Sequence, residues 1–275
     1  MTVVLAALLV LSLAPGCASM DDGSDGPLSW EAFKARAYRE PDTGMYIFNW
    51  DEVFENEAQL REQYERYLSE EAEAESGIAR SEEALIVDRV GGHDNVWPAA
   101  RVINLSYCLD DSFGARKSEV ATAIARAAAD WQAATHVQFV YVPTQDGAGC
   151  SKTNNSVLFN VRQVSGSASL ARSFMPSSSR STRELVIDAS TFGSISPFTL
   201  TGVLRHELGH ILGFRHEHTR PEAGGVCFEN NSWRALTTYD SKSVMMYPQC
   251  NGTQTGDLVL TARDKVGAAA LYGAP

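Results

Sequence analysis

Three histidines and one glutamate between His206 and His216 have the spacing of a catalytic metal site. His206 and His210 are four residues apart, so on a helix they share a face and can bind one ion together. Glu207 lies beside that face, where its carboxylate can reach a water on the ion without itself binding the ion. Gly213 predicts a left-handed helix end, after which the chain can bring His216 back as a third ligand. The segment predicts a zinc ion with one open position for that water.

Ordinary surface or core histidines are the alternative interpretation of this segment. That interpretation accounts for any single histidine, but it must also explain five fixed positions within a run of eleven residues. At average residue frequencies such a set arises by chance on the order of once in 100,000 chains. We therefore interpret the segment as a metal site.

The same residues resemble the signature of the metzincin clan of zinc endopeptidases, His-Glu-x-x-His-x-x-Gly-x-x-His. The residue after the third histidine marks the subfamily, and here it is Glu217. The run from His216 to Arg220 is similar to the astacin signature, whereas matrixins carry Ser or Thr after the third histidine. The resemblance implies that Glu217 pairs with the N-terminus of the mature enzyme. It identifies an astacin-like peptidase, with a matrixin-like peptidase as the second choice.

The run from Ser243 to Tyr247 resembles the Met-turn, the second hallmark of the clan. The resemblance implies that Met245 lies beneath the zinc ligands and that Tyr247 donates to the oxyanion, a role that suits a phenol hydroxyl. Met246 stands where astacins usually carry His. The alternatives are flexible core packing for the two methionines and a half-buried surface aromatic for Tyr247.

The N-terminal third of the chain differs from the remainder in charge. The whole chain has a net charge of −11, but residues 18–89 alone carry 7 Lys and Arg against 19 Asp and Glu, a balance of −12. Apolar residues recur at helical spacing from Val53 to Glu75. We predict an acidic helical prosegment over residues 18–90 and a catalytic domain over residues 91–275. The chain has no basic run, which argues against nucleic acid as a partner.

The run from Phe48 to Asp51 resembles the Phe-x-Gly-Asp switch of astacin propeptides, although Trp50 stands where Gly is expected. In that family the aspartate replaces the water on zinc and keeps the enzyme latent. The resemblance makes Asp51 a candidate latency ligand, because a carboxylate can bind zinc. A solvated carboxylate is the alternative.

Residues 1–17 are predicted to be a signal peptide, because residues 2–13 form an apolar run too short to span a bilayer. The run from Leu13 to Cys17 resembles a bacterial lipobox, which would place a lipid anchor on Cys17. Ordinary cleavage and a misassigned start are the alternatives. We expect an exported protein, secreted or lipid-anchored at the bacterial cell envelope, that meets a membrane only through this anchor.

Four further cysteines, an even number in an exported chain, favour two disulfides. Three pairings are open, and sequence proximity favours Cys108 with Cys150 and Cys227 with Cys250. The second pair would brace the loop between the third zinc ligand and the Met-turn. A second metal site is the alternative, which the absence of Cys-x-x-Cys spacing disfavours.

The order of predicted elements after residue 96 is strand, helix, strands and helix, which indicates an α+β fold. The predicted elements include a strand at Arg101–Tyr107, a helix at Ser118–Ala133, a strand at Val137–Val142 and a closing helix at Thr261–Tyr272. The resemblance implies a metzincin-type zinc protease domain with a twisted mixed sheet, two main helices and a C-terminal subdomain that contains the Met-turn.

The predicted function is a zinc-dependent endopeptidase that hydrolyses peptide bonds in proteins. One catalytic Zn²⁺ would hold the water, Glu207 would activate it, and Tyr247 would stabilise the oxyanion. We expect a monomer whose partners are a protein or peptide substrate and an activating protease. The alternative from a different class is a zinc-stabilised surface binding module without catalysis.

Overall fold

The computed structural model describes residues 27–75, 85–225, 227 and 229–275. The predicted signal peptide and Cys17 lie outside the described residues. Among the helices of the described ranges, none is both long and apolar enough to cross a membrane.

The N-terminal region forms a small unit of its own around an aromatic cluster. It consists of α1 (Trp30–Lys34), the antiparallel strands β1 (Tyr38–Arg39), β2 (Tyr46–Phe48) and β3 (Glu52–Phe54), and α2 (Glu57–Glu75). Phe33, Phe48 and Tyr67 pack together, with the Phe33 and Phe48 ring centroids 4.8 Å apart. The helix expected from Val53 begins later, because residues 52–54 pair with β2 and the Asn56 side chain accepts the Gln59 amide.

A mixed five-stranded sheet forms the centre of the molecule. From one edge to the other its strands are β7 (Phe139–Tyr141), β6 (Leu105–Leu109), β8 (Phe159–Val164), β10 (Glu184–Asp188) and β9 (Ala171–Arg172). The first four strands run parallel, and β9 is antiparallel to β10 at the edge. The α+β class and the mixed sheet expected from the sequence are confirmed.

Two long helices cover one face of this sheet and form the main core. They are α4 (Lys117–Gln132) and α5 (Leu200–Ile211), and a shorter helix α6 (Ala262–Tyr272) follows near the C-terminus. The Trp131 ring on α4 stacks on Phe214 at 5.3 Å, and its indole nitrogen donates to the Arg205 carbonyl at 2.9 Å. These contacts fix α5 against α4. The strand expected at Arg101 begins only at Leu105, because a short helix, α3 (Ala99–Val102), precedes it.

A second, smaller sheet joins the end of the predicted prosegment to the predicted catalytic region. Its central strand β4 (Ile86–Val90) pairs antiparallel with β5 (His93–Asp94), β11 (Phe214–Arg215) and β12 (Trp233–Ala235). The boundary at residue 90 stays a prediction. However, a shortened chain that begins at Gly91 would lack the strand beside His216, so it should begin before Ile86.

Acidic side chains attach the N-terminal unit to the outer face of the central sheet. Arg162 and Arg172 lie opposite Val186 in neighbouring strands and therefore share that face. Both Glu40 oxygens accept from the Arg172 guanidinium, one at 2.6 Å, and both side chains are almost fully buried. Asp42 accepts from Arg162 at 2.9 Å but is half exposed. Part of the N-terminal negative charge is therefore paired across this contact.

We predict that Glu40→Gln lowers the free energy of unfolding of the full chain by about 3–5 kcal/mol, because Arg172 is left charged and buried without its partner. Chemical denaturation measures this loss. The matched control is Asp42→Asn, for which we expect about 0–1 kcal/mol, since Arg162 keeps Glu184 at 3.1 Å. Equal losses in the two variants would contradict the assignment.

Candidate metal centre

Helix α5 presents two of the three histidines, and a glycine turn presents the third. The Thr199 side chain caps the helix by accepting the Gly202 amide at 2.9 Å. The helix ends at Ile211, and Gly213 follows with φ +90°, the left-handed conformation that the sequence predicted. A Cβ at Gly213 would also collide with the Asn95 carbonyl oxygen. The chain therefore reverses into β11 and brings His216 to the face that carries His206 and His210.

The three imidazoles converge on one point. Their Nε2 atoms are 3.1–3.2 Å apart, and all three side chains are buried. His206 Nδ1 lies 2.7 Å from the Val244 carbonyl, and His210 Nδ1 lies 2.8 Å from the Phe214 carbonyl. A carbonyl only accepts, so each Nδ1 carries the hydrogen and each Nε2 of these rings keeps its lone pair. Facing lone pairs repel unless a cation lies between them, so the arrangement is that of a metal site.

The Asp51 carboxylate of the N-terminal unit lies where a fourth ligand atom would bind. Its Oδ2 is 3.1–3.2 Å from each of the three Nε2 atoms, so the four atoms form a nearly regular tetrahedron. The centre of such a tetrahedron is about 1.9 Å from every corner, close to the ~2.0–2.2 Å of zinc–nitrogen and zinc–oxygen bonds. These residues fit one tetrahedral zinc ion.

Burial shifts the pKa of several groups around this centre. It lowers the pKa of His210 to about 4, which leaves that imidazole neutral and able to bind a metal. Burial, with the nearby Asp51 carboxylate, raises the pKa of Glu207 well above its ordinary range. The same two causes raise the pKa of Tyr247, so Tyr247 keeps its hydroxyl hydrogen and acts as a donor.

Glu207 lies beside the ligands and faces a cavity. Its Oε2 is buried and has no hydrogen-bond partner among the described residues. The cavity, of about 280 Å³, is bounded by Glu207, His206, Tyr247 and the β9 residue Ala171. A buried carboxylate with one unpartnered oxygen next to a candidate metal site is available to exchange a proton with a molecule in that cavity.

Tyr247 and Trp50 close the cavity on the side of the N-terminal unit. The Tyr247 ring stacks on His206 with centroids 5.1 Å apart, and its hydroxyl donates to Asp51 Oδ2. Trp50 meets the Tyr247 ring edge-on at 5.3 Å and lines the cavity. Trp50 stands where Gly was expected, and its indole thus occupies space next to the candidate catalytic groups.

The segment from Ser243 to Tyr247 passes beneath α5, where Met245 and Met246 are fully buried. A Cβ on Gly209 would collide with Met245 Sδ and would lie 3.2 Å from the Trp131 ring. Asp264 on α6 holds the turn, because its carboxylate accepts from the Ser243 hydroxyl at 2.6 Å and the Val244 amide at 2.9 Å. Sequence reasoning missed Asp264, which had no signal beyond a position in the first turn of a helix.

Glu217 is buried, with one oxygen accepting the Asp240 amide at 3.2 Å and the other without a partner among the described residues. Burial raises the pKa of its carboxyl to about 8. Its expected pairing with a new N-terminus stays a prediction.

Both expected disulfides are confirmed. Cys108 pairs with Cys150, and Cys227 pairs with Cys250. The second bond links the loop after the third histidine to the segment that follows Tyr247. It also places Glu229, which sequence reasoning missed, within reach of His216. Sequence spacing gave no signal for Glu229, because its contact with His216 depends on how the loop folds.

The family model of the matrixins matches residues 96–223. The match supports a metzincin-clan zinc metalloendopeptidase. It includes His206, Glu207, His210 and His216 but ends before Met245 and Tyr247. It also favours matrixins, so the expected astacin-like assignment gains no support from it. No curated protein matches the chain.

We predict that Gly209→Ala lowers the free energy of unfolding by about 1–3 kcal/mol, because the added methyl overpacks the contact with Met245. In a helix free of such contacts the same change would stabilise by about 0.5–1 kcal/mol. The matched measurement is thermal or urea unfolding in a Met245→Ala background, where the loss should shrink. An equal loss in both backgrounds would refute a specific contact between the two residues.

Proposed function

We propose that this chain is a zinc-dependent endopeptidase that its own N-terminal segment keeps latent. Zinc ligation by His206, His210 and His216 is the basis of the proposal. The supporting observation is the tetrahedron that their Nε2 atoms form with Asp51 Oδ2. The metzincin-clan match over the same histidines is independent support.

The chemistry divides among three kinds of group. Zinc, when bound, supplies Lewis-acid chemistry that polarises a peptide carbonyl and lowers the pKa of a water to about 7. Glu207 accepts a proton from that water and passes it to the leaving amine. The Tyr247 hydroxyl donates to the oxygen that becomes negative during attack. The raised pKa of Tyr247 agrees with a hydrogen-bond donor, and the raised pKa of Glu207 arises from burial and from Asp51, which the proposed activation removes.

The edge strand β9 is the proposed binding site for the substrate backbone. It lies at the edge of the central sheet, and Ala171 lines the cavity that Glu207 also faces. An extended peptide can add to such an edge through main-chain hydrogen bonds. This mode of binding would present a protein chain to Glu207 without requiring a particular side chain.

Latency follows from the position of Asp51. Its carboxylate takes the fourth corner of the proposed zinc site, where the water would otherwise bind, and Trp50 lines the adjacent cavity. An activating protease would be needed to release the segment. Export with a signal peptide or a lipid anchor on Cys17 and a monomeric state belong to the same proposal.

This chain shows features that resemble two different subfamilies, the matrixins and the astacins. The matrixin match argues for a matrixin-like sheet and metal helix over residues 96–223. Glu217 and Tyr247 still resemble astacins, and Tyr247 lies beyond the matched residues. We propose a peptidase with a matrixin-like core that uses Tyr247 as astacins do.

One observation favours a second candidate, the zinc-stabilised binding module without catalysis. With Asp51 in place the site has four protein ligands, and closed four-ligand sites are typical of structural zinc. The unpartnered Oε2 of Glu207 and the cavity beside it favour catalysis, since a structural site needs neither.

We predict that full-length chain carrying Asp51→Ala cleaves a quenched protein substrate at least about tenfold faster than the unaltered chain. The reason is that the segment loses its zinc ligand. A tenfold change in rate corresponds to a loss of about 1.4 kcal/mol in the free energy with which the segment binds the site. Asp42→Ala is the matched control, because Asp42 is a half-exposed acid of the same segment that does not reach the metal site. Equal rates for the unaltered chain and Asp51→Ala would exclude Asp51 as a latency ligand.

We predict that adding Glu207→Gln to Asp51→Ala lowers the cleavage rate by about 10²–10⁴-fold, because the amide cannot accept the proton. Metal analysis should still show one zinc per chain. Glu119→Gln, an exposed glutamate on α4, is the control and should have no effect. Full activity in the Glu207→Gln chain with zinc bound would overturn the peptidase mechanism, and inactivity of every variant with zinc retained would favour the binding module.

A further inference from the structure

Glu229 contacts the third metal-binding histidine from the side opposite to the metal. We infer that Glu229 is a positioning residue, whose carboxylate accepts the Nδ1 hydrogen of His216 and holds that imidazole as a zinc ligand. The inference rests on the zinc site of the proposed function and assigns a role to a residue outside the signature segment.

The contacts of Glu229 account for both of its oxygens. Oε1 pairs with His216 Nδ1. Oε2 accepts from Arg215 Nη2 at 2.8 Å and from the Thr219 hydroxyl at 2.9 Å. The side chain is completely buried, so no solvent competes for these hydrogen bonds. Its orientation is therefore fixed by partners on both oxygens.

His216 differs from the other two ligands in the acceptor that its Nδ1 meets. His206 and His210 donate to backbone carbonyls, which are neutral. His216 donates to a carboxylate, and a charged acceptor gives a stronger hydrogen bond and makes the opposite nitrogen a better metal donor. His216 is also the ligand outside α5, so the helix backbone does not fix the position of its ring. The charged acceptor occurs where the backbone provides the least restraint.

Two covalent or ionic links hold Glu229 in place. The Cys227–Cys250 disulfide lies two residues before it and joins its loop to the segment after Tyr247. Arg215, which immediately precedes His216, binds Glu229 and also the Asn230 side chain at 2.7 Å. The loop is therefore linked both to the residue before His216 and to the segment that follows Tyr247.

Replacement of Glu229 by glutamine would not leave the Arg215 cation without an acidic partner. Arg215 also donates to Glu52 of the N-terminal unit at 3.0 Å and lies 3.8 Å from Asp88. His218 Nε2 lies 3.2 Å from Glu229 Oε1, and His216 itself faces Asp51. Because Arg215 keeps two acidic neighbours, Glu229→Gln removes the charged acceptor from His216 without stranding the arginine.

The test measures the zinc dissociation constant of the full-length chain by competition with a chromophoric chelator. We expect Glu229→Gln to weaken zinc binding by about 10–100-fold while circular dichroism shows an unchanged fold. Glu229→Asp, which keeps the charge on a shorter side chain, should give an intermediate constant. Glu222→Gln is the matched control, because Glu222 lies in the same loop and pairs with Arg220 away from the metal site. The visible spectrum of the cobalt-substituted chain should shift in Glu229→Gln alone.

An unchanged zinc constant and cobalt spectrum in folded Glu229→Gln would overturn the inference. If that variant fails to fold, Glu229→Asp decides the question, since a constant equal to that of the unaltered chain would overturn it as well. Absence of zinc binding in the unaltered chain is a different result. It would remove the proposed function and, with it, the basis for a positioning role.

Discussion

The convergence of three buried imidazole lone pairs is the constraint on which the rest of the structure depends. Buried nitrogen atoms 3.1–3.2 Å apart repel each other unless a cation lies between them. Three segments each hold one part of this arrangement. They are the turn at Gly213, the segment from Ser243 to Tyr247 beneath α5, and the loop that carries Glu229. The packing of α5 on α4 supplies the rigid base, because Trp131 hydrogen-bonds to the helix that carries two of the ligands.

Local spacing was enough to predict the part of the site that lies on one helix and its turn. His206 and His210 follow from the helical repeat, and Gly213 follows from the left-handed turn that must end the helix. The pairing of the four cysteines was also predicted, because sequence proximity favours these two closures. In each case the relevant atoms are close in sequence, so tertiary structure adds little to the prediction.

The parts of the site that sequence reasoning missed depend on tertiary contacts. Glu229 reaches His216 through a disulfide-closed loop, and Asp264 reaches the methionine turn from α6. Strand β4 was assigned to the prosegment by charge, but strand pairing is decided by partners more than 100 residues away, such as Phe214. The helix expected at Val53 began at Glu57 for a similar reason, because pairing with β2 competes with helix formation.

The buried pair of Glu40 and Arg172 has a consequence for how the proposed latency would end. A cut between α2, which ends at Glu75, and β4, which begins at Ile86, would leave both units intact and still joined by this pair and by Asp51. Cleavage would then change a tethered ligand into a separate one and remove its high effective concentration. A buried ion pair is little screened by salt. Dilution, more than ionic strength, would therefore determine the fraction of cut molecules that open.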